Sequence, residues 1–130
     1  MPATSEAVTR DIRIKVQARY VSQRSRPDDG LWFFAYHVEL ENVGEETVQL
    51  LSRHWIITDG EARVEEVRGP GVVGEKPVLA PGDMFHYTSA CPLPTEFGTM
   101  HGSYQMVTSD GEHFDAKIAP FSLCTPHSVH

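Results

Sequence analysis

The sequence predicts an all-β domain, an antiparallel sandwich or a small barrel, and three observations predict it. Apolar residues recur at every second position in one segment after another. No window carries the 3.6-residue period of an amphipathic helix. Turn signals built on Gly, Pro, Asn and Asp separate the alternating runs at spacings of about 8–12 residues, the rhythm of short strands folding back on one another.

The elements follow in order. Residues 1–11 are expected to be flexible, the domain to run over residues 12–123, and residues 124–130 to form a flexible tail. In the first strand Ile12, Ile14, Val16, Ala18 and Tyr20 share one face, while Arg13, Lys15, Gln17 and Arg19 share the other. That is a half-buried strand. Residues 22–30 (SQRSRPDDG) are polar and broken by Pro and Gly, and read as a loop. Residues 31–42 give a long strand that turns Trp32, Phe34, Tyr36, Val38 and Leu40 to the core. After the NVGEE turn, residues 47–58 form a central strand: Leu51, Trp55 and Ile57 lie on one face, and Ser52, His54 and Ile56 on the other. Asp59-Gly60 ends it. A short strand over 62–67 leads into a glycine-rich stretch, Val78-Leu79 is a brief strand, and Pro81-Gly82 suits the centre of a type II turn. Residues 84–90 alternate again. Residues 99–108 turn Met100, Tyr104 and Met106 inward, and residues 113–118 pair back on them after the SDGE turn. Trp32, Phe34, Tyr36, Trp55 and Tyr104 are the expected core aromatics.

The glycine-rich stretch, RGPGVVGEKPVLAPGD at residues 68–83, spaces Gly69, Gly71 and Gly74 as G-x-G-x-x-G. A dinucleotide-binding loop of that spacing needs a helix opening directly after it, whose N-terminus holds the phosphates. Pro81 and Gly82 forbid a helix of useful length, so the glycines are expected to serve a sharp turn or bulge between strands. If the stretch did bind an anion, the donors would be backbone N–H groups forming a nest, helped by Arg68 and Lys76, with Gly69, Gly71, Gly74 and Glu75 around them. Val72 and Val73 cannot both point inward, because neighbours in an extended chain face opposite ways. The exposed one is a docking candidate.

Composition narrows the function classes. The chain has 130 residues, 40% of them hydrophobic and 22% charged, and fits one globular domain. A net charge of −7 disfavours a nucleic-acid partner. No apolar run approaches a membrane span, and the N-terminus lacks the pattern of a secretory signal. A cytoplasmic location is expected. Cys91 and Cys124 fit that compartment as unpaired thiols without redox chemistry.

Chemistry is sparse. His37, His54, His86, His101 and His113 lie on strands, and Cys124, His127 and His130 crowd the tail, but none shows a zinc spacing. DGEHFD at residues 110–115 is too short for a calcium loop. No G-x-S-x-G elbow occurs, and Glu65 and Glu66, as strand neighbours, face opposite ways and cannot act together as acid and base. No catalytic residue, no metal ligand set and no cofactor are expected.

The blocks LLSRHWIITDG, VEEVRGPGVVGEKPVLAPG, YTSACPL and GTMHGSYQM together resemble the ApaG family, and the likeness runs over residues 12–123. Pro70 stands where the family usually carries a polar or acidic residue. The resemblance implies a sandwich of the immunoglobulin or fibronectin type III kind and an interaction module with a protein partner, which joins the absence of catalytic spacings above in a non-catalytic reading. Free sheet edges leave both a monomer and a homodimer open. The resemblance also implies a cellular link to cobalt resistance and magnesium efflux. Two alternatives accompany that reading: a nucleotide or pyrophosphate bound at residues 68–76, and Mg²⁺ or Co²⁺ held by Glu65, Glu66, Glu75 or Asp83.

Overall fold

The computed structural model describes residues 2–126. Strands β1 (Thr4–Thr9), β2 (Ile12–Tyr20), β3 (Trp32–Asn42) and β7 (Met84–Leu93) make one antiparallel sheet in the order β1-β2-β3-β7. Strands β4 (Val48–Asp59), β5 (Val64–Pro70), β8 (Phe97–Thr108) and β9 (His113–Cys124) make the second, ordered β5-β4-β8-β9, with the two-residue β6 (Val78–Leu79) added to β4. The expected all-β sandwich is present. Among the described residues the helical pieces are two 3-10 turns, Ser22–Arg24 and Pro27–Asp29, inside the polar loop. No helix among them is long and apolar enough to cross a membrane.

Alternation places the core. Ile12, Ile14 and Val16 of β2, with Phe34, Val38 and Leu40 of β3, face Met100, Tyr104 and Met106 of β8 and Phe121 and Leu123 of β9, all buried. Tyr36 and Trp55 join them, while Trp32 is only partly buried at the cluster's edge. The Pro81-Gly82 turn forms as expected, with Gly82 at φ 87° and the Asp83 N–H donating to Ala80 O at 2.9 Å.

Three expectations need correction. Residues 4–9 are not flexible but form edge strand β1, paired along its whole length with β2. Its residues are small and polar and alternate only between exposed and half-buried, so no apolar face announces the strand. Leu51 does not share the face of Trp55: a bulge between Leu50 and Ser52 shifts the register, and Leu50 takes the core position. The last strand continues past residue 118 to Cys124, with Pro120 tolerated because β9 is an edge. His127 and His130 lie outside the described residues.

The two flanks of the sandwich differ. On one, β9 lies against β1 and β2. There the Ser122 N–H donates to Pro2 O at 2.8 Å and the Lys117 N–H to Thr9 Oγ1 at 3.1 Å. On the other, β5 and β7 are the sheet edges, no ladder among the described residues joins them, and a cleft opens between the sheets.

Candidate ligand-binding cleft

The cleft has a volume of about 610 Å³. Inward residues of β4 (Arg53, Trp55, Ile57) and β5 (Glu65, Val67) form one wall. The facing wall comes from Tyr36 of β3 and from β7 between Ser89 and Leu93. Met100 closes the apolar floor.

Arg53 occupies an inward position of β4, paired across to Gly69 of β5 and Tyr104 of β8. A cation there loses hydration and needs compensation. Its Nη1 donates to Pro70 O and Gly71 O, both at 3.0 Å, which pins the guanidinium plane. Gly69 makes room for it: a Cβ at that position would lie 2.9 Å from Arg53 Nη2. Nε and Nη2 donate to no acceptor among the described residues, and no carboxylate among them lies within ion-pair distance of Arg53. The other arginine at the cleft, Arg63, is neutralised by Asp59 at 3.1 Å and Glu61 at 3.0 Å.

Trp55 is 2% exposed and packs edge-on to Tyr36, with centroids 5.2 Å apart, and to Phe121 at 6.0 Å. Its Nε1–H has no acceptor among the described residues. A buried orphan donor costs about 1–3 kcal/mol. Burial pushes the Tyr36 hydroxyl up from its ordinary value, against smaller opposing pulls from Ser89 and Arg53, so Tyr36 remains a donor near neutral pH. Tyr87 and Tyr104, which share a hydroxyl–hydroxyl hydrogen bond behind it, are raised chiefly by burial as well. Burial, with a lesser contribution from Glu65, pushes the Cys91 thiol up to about 12. That is the opposite of an activated nucleophile.

The sequence-predicted candidates assemble differently. Gly69 and Pro70 end β5, and Val72 to Glu75 form a tight hairpin in which the Val72 N–H donates to Glu75 O at 2.8 Å and the Glu75 N–H to Val72 O at 2.9 Å. Its central residues Val73 and Gly74 both have positive φ, 43° and 81°, the mark of a type I′ turn. No helix follows Gly74. Val72 is 1% exposed and Val73 56%, so the division between inward and outward valine holds. The Gly71 N–H is spent on Leu51 O at 2.9 Å. Three amides of the loop are therefore committed to internal bonds.

Arg68 points to the outer face, beside Glu66 at 3.5 Å, with His54 Nε2 at 2.7 Å from the same carboxylate oxygen. Arg68 thus sits on the opposite sheet face from Arg53, and the structure does not gather Arg68, Glu75 and Lys76 around one point. The Lys76 carbonyl accepts from Gln49 Nε2 at 3.1 Å. The four acidic candidates are also dispersed: Glu65 faces the cleft, Glu66 the outer face, Glu75 closes the hairpin opposite Val72, and Asp83 Oδ2 accepts the Ala80 N–H at 2.9 Å. Among the described residues no three His, Cys, Asp or Glu side chains cluster to hold an ion. His37 and His86 lie with ring centroids 5.3 Å apart and planes tilted by 53°, without a third partner of that kind. Sequence reasoning missed Arg53. The available signal was parity, since Arg53 shares the face of Trp55 and Ile57.

Fold and cleft together define a two-sheet β-sandwich with one open flank. Residues 22–108 match the ApaG domain. Relatives include Protein ApaG of Rhodospirillum centenum, 58% identical over 92% of each chain, and Protein ApaG of Bordetella pertussis, 52% identical over 92% of each. Among solved structures, an ApaA protein of Bordetella pertussis superposes with a TM-score of 0.88 at 49% identity, covering 98% of this chain and 100% of that one. The C-terminal domain of wzt, at 10% identity and TM-score 0.56, shares the fold alone. The chain belongs to the ApaG family.

Proposed function

We propose that this domain is a non-catalytic binding module and that its ligand enters the cleft between β5 and β7. The observation that carries the reading is the cleft itself. At about 610 Å³ it lies within the usual range of ligand sites, and it combines aromatic and aliphatic walls with a few convergent polar groups. The absence of catalysis is part of the proposal. The one thiol in the cleft is held protonated, and the Thr88 hydroxyl that stands 2.8 Å from His37 Nδ1 lies outside the cleft lining. A cytoplasmic setting is part of it too, in keeping with two free cysteines. The role in cobalt resistance and magnesium efflux that the family resemblance implies then runs through what the cleft binds.

A fragment screen followed by amide NMR tests this. Fragments should shift β5 and β7 amides saturably, and Val67→Phe, which narrows the cleft, should abolish those shifts while the fold persists. Shifts confined to residues 71–76, or none anywhere, would overturn the reading.

A second reading rests on a separate observation: Val73 is both exposed and strained. A β-branched residue at positive φ is costly. An apolar hairpin tip kept in that state suits a protein-docking point. Val73→Asn should keep the fold and weaken partner capture if so.

A further inference from the structure

The geometry points to Arg53 as the anchor for a small organic monoanion with an apolar body, a carboxylate above all. This inference rests on the cleft being the binding site and names what it takes.

Both hydrogens of Nη1 are used on Pro70 O and Gly71 O. The opposite edge of the guanidinium, Nε and Nη2, is a complete pair of parallel donors. That edge matches the two oxygens of a carboxylate. A core-facing cation with no carboxylate partner from its own chain is costly to keep, whereas Arg63 nearby is fully paired. The Tyr36 hydroxyl, beside Ser89 on the same cleft wall, adds a donor, whereas the unpaired Trp55 indole N–H is enclosed beneath the cleft surface. Ile57, Val67, Leu93 and Met100 give the cleft an apolar portion, beside a polar portion made by Asp59, Arg63 and Glu65. An acid with a hydrocarbon or aromatic body satisfies both halves.

Polyanions fit poorly. Glu65 faces the same cleft and has no cation within ion-pair distance among the described residues. The chain as a whole carries −7. One free guanidinium can neutralise one charge, and each added phosphate would meet Glu65 and the net field without a partner.

The experiment is an amide NMR titration of the full chain at neutral pH with 4-phenylbutyrate, its uncharged amide 4-phenylbutyramide, and pyrophosphate. The acid should shift Val67, Gly69 and Cys91 saturably and bind about tenfold more tightly than the amide. Arg53→Gln should erase that difference. If Arg53→Gln does not fold, Arg53→Lys keeps the charge and loses the fork, and should weaken the acid several-fold. Equal binding of acid and amide, or acid binding untouched by either substitution, overturns the anion anchor while leaving the cleft as a binding site. Pyrophosphate binding more tightly than the acid overturns the monoanion class. No cleft shift with any probe overturns the anchor and counts against the cleft as well.

Discussion

The two flanks of this sandwich are built by the same alternating pattern and end in opposite states. On the β1/β9 flank the buried rows that β2 and β9 bring together (Ile12, Ile14 and Val16; Ala116 and Ile118) carry no charge, and the edges are stitched by the Ser122–Pro2 and Lys117–Thr9 bonds. On the β5/β7 flank the inward row of β4 and β5 includes Arg53 and Glu65, and the sheets stand apart around a cleft. Closing that flank would bury two unpaired charges. A seal of apolar side chains stabilises a sandwich, whereas charges in the same row hold it open. The difference teaches that stability and recognition are divided between the two sides.

The largest expected effect separates the flanks by truncation. Ile118→Ala, on the sealed side, should cost about 2–5 kcal/mol in urea denaturation. Val67→Ala, whose side chain already borders open space, should cost about 1 kcal/mol or less. Similar losses at both sites would mean that the open flank is packed as tightly as the sealed one, and the comparison fails.

Much of this division was legible in the residues. Period-two alternation identified the core rows, since Ile12, Phe34, Met100 and Tyr104 all fall where parity puts them. Parity with Trp55 and Ile57 also puts Arg53 in the inward row. Sequence reasoning did not take that step, because an arginine within an apolar run reads as an interruption until the strand across from it is known. The reason it is tolerated, Gly69 beneath the guanidinium and the two carbonyls beside it, is a cross-strand fact that no local spacing encodes. The same limit hid the bulge at Leu51, because β4 and β8 fix it jointly. β1 was missed for another cause. An edge strand of Thr, Ser and Glu gains its place by hydrogen bonding to β2 rather than by burial, and composition does not report hydrogen bonds.

A smaller effect concerns the hairpin at the end of β5, where the open edge stops. Val73 sits at φ 43° in a position that Asn adopts readily. Val73→Asn should therefore raise stability by about 1 kcal/mol in urea denaturation, the reverse of the core truncations. A fall in stability would mean that Val73 makes contacts worth more than its backbone strain, and the hairpin would then belong with the packed part of the molecule.

The smallest expected effect is a pH dependence peculiar to the open flank. Cys91 lies on the cleft wall, yet burial pushes its thiol from the ordinary 9.0 up to about 12. A folded-state value above the unfolded one means that the folded chain holds the proton more firmly. Its stabilising contribution is full below about pH 9 and is lost as pH rises toward 12. From pH 9 to 10 the wild type should lose up to roughly 1 kcal/mol through this group, beyond the loss from the buried tyrosines that the wild type and a Cys91 variant share. Cys91→Ala lacks the thiol and should show a flatter profile over that interval, even if its absolute stability is lower. Parallel profiles for the two proteins would mean that Cys91 titrates near its ordinary value. Water would then reach it through the cleft, and the wall formed by β7 would be far more open than the buried thiol implies.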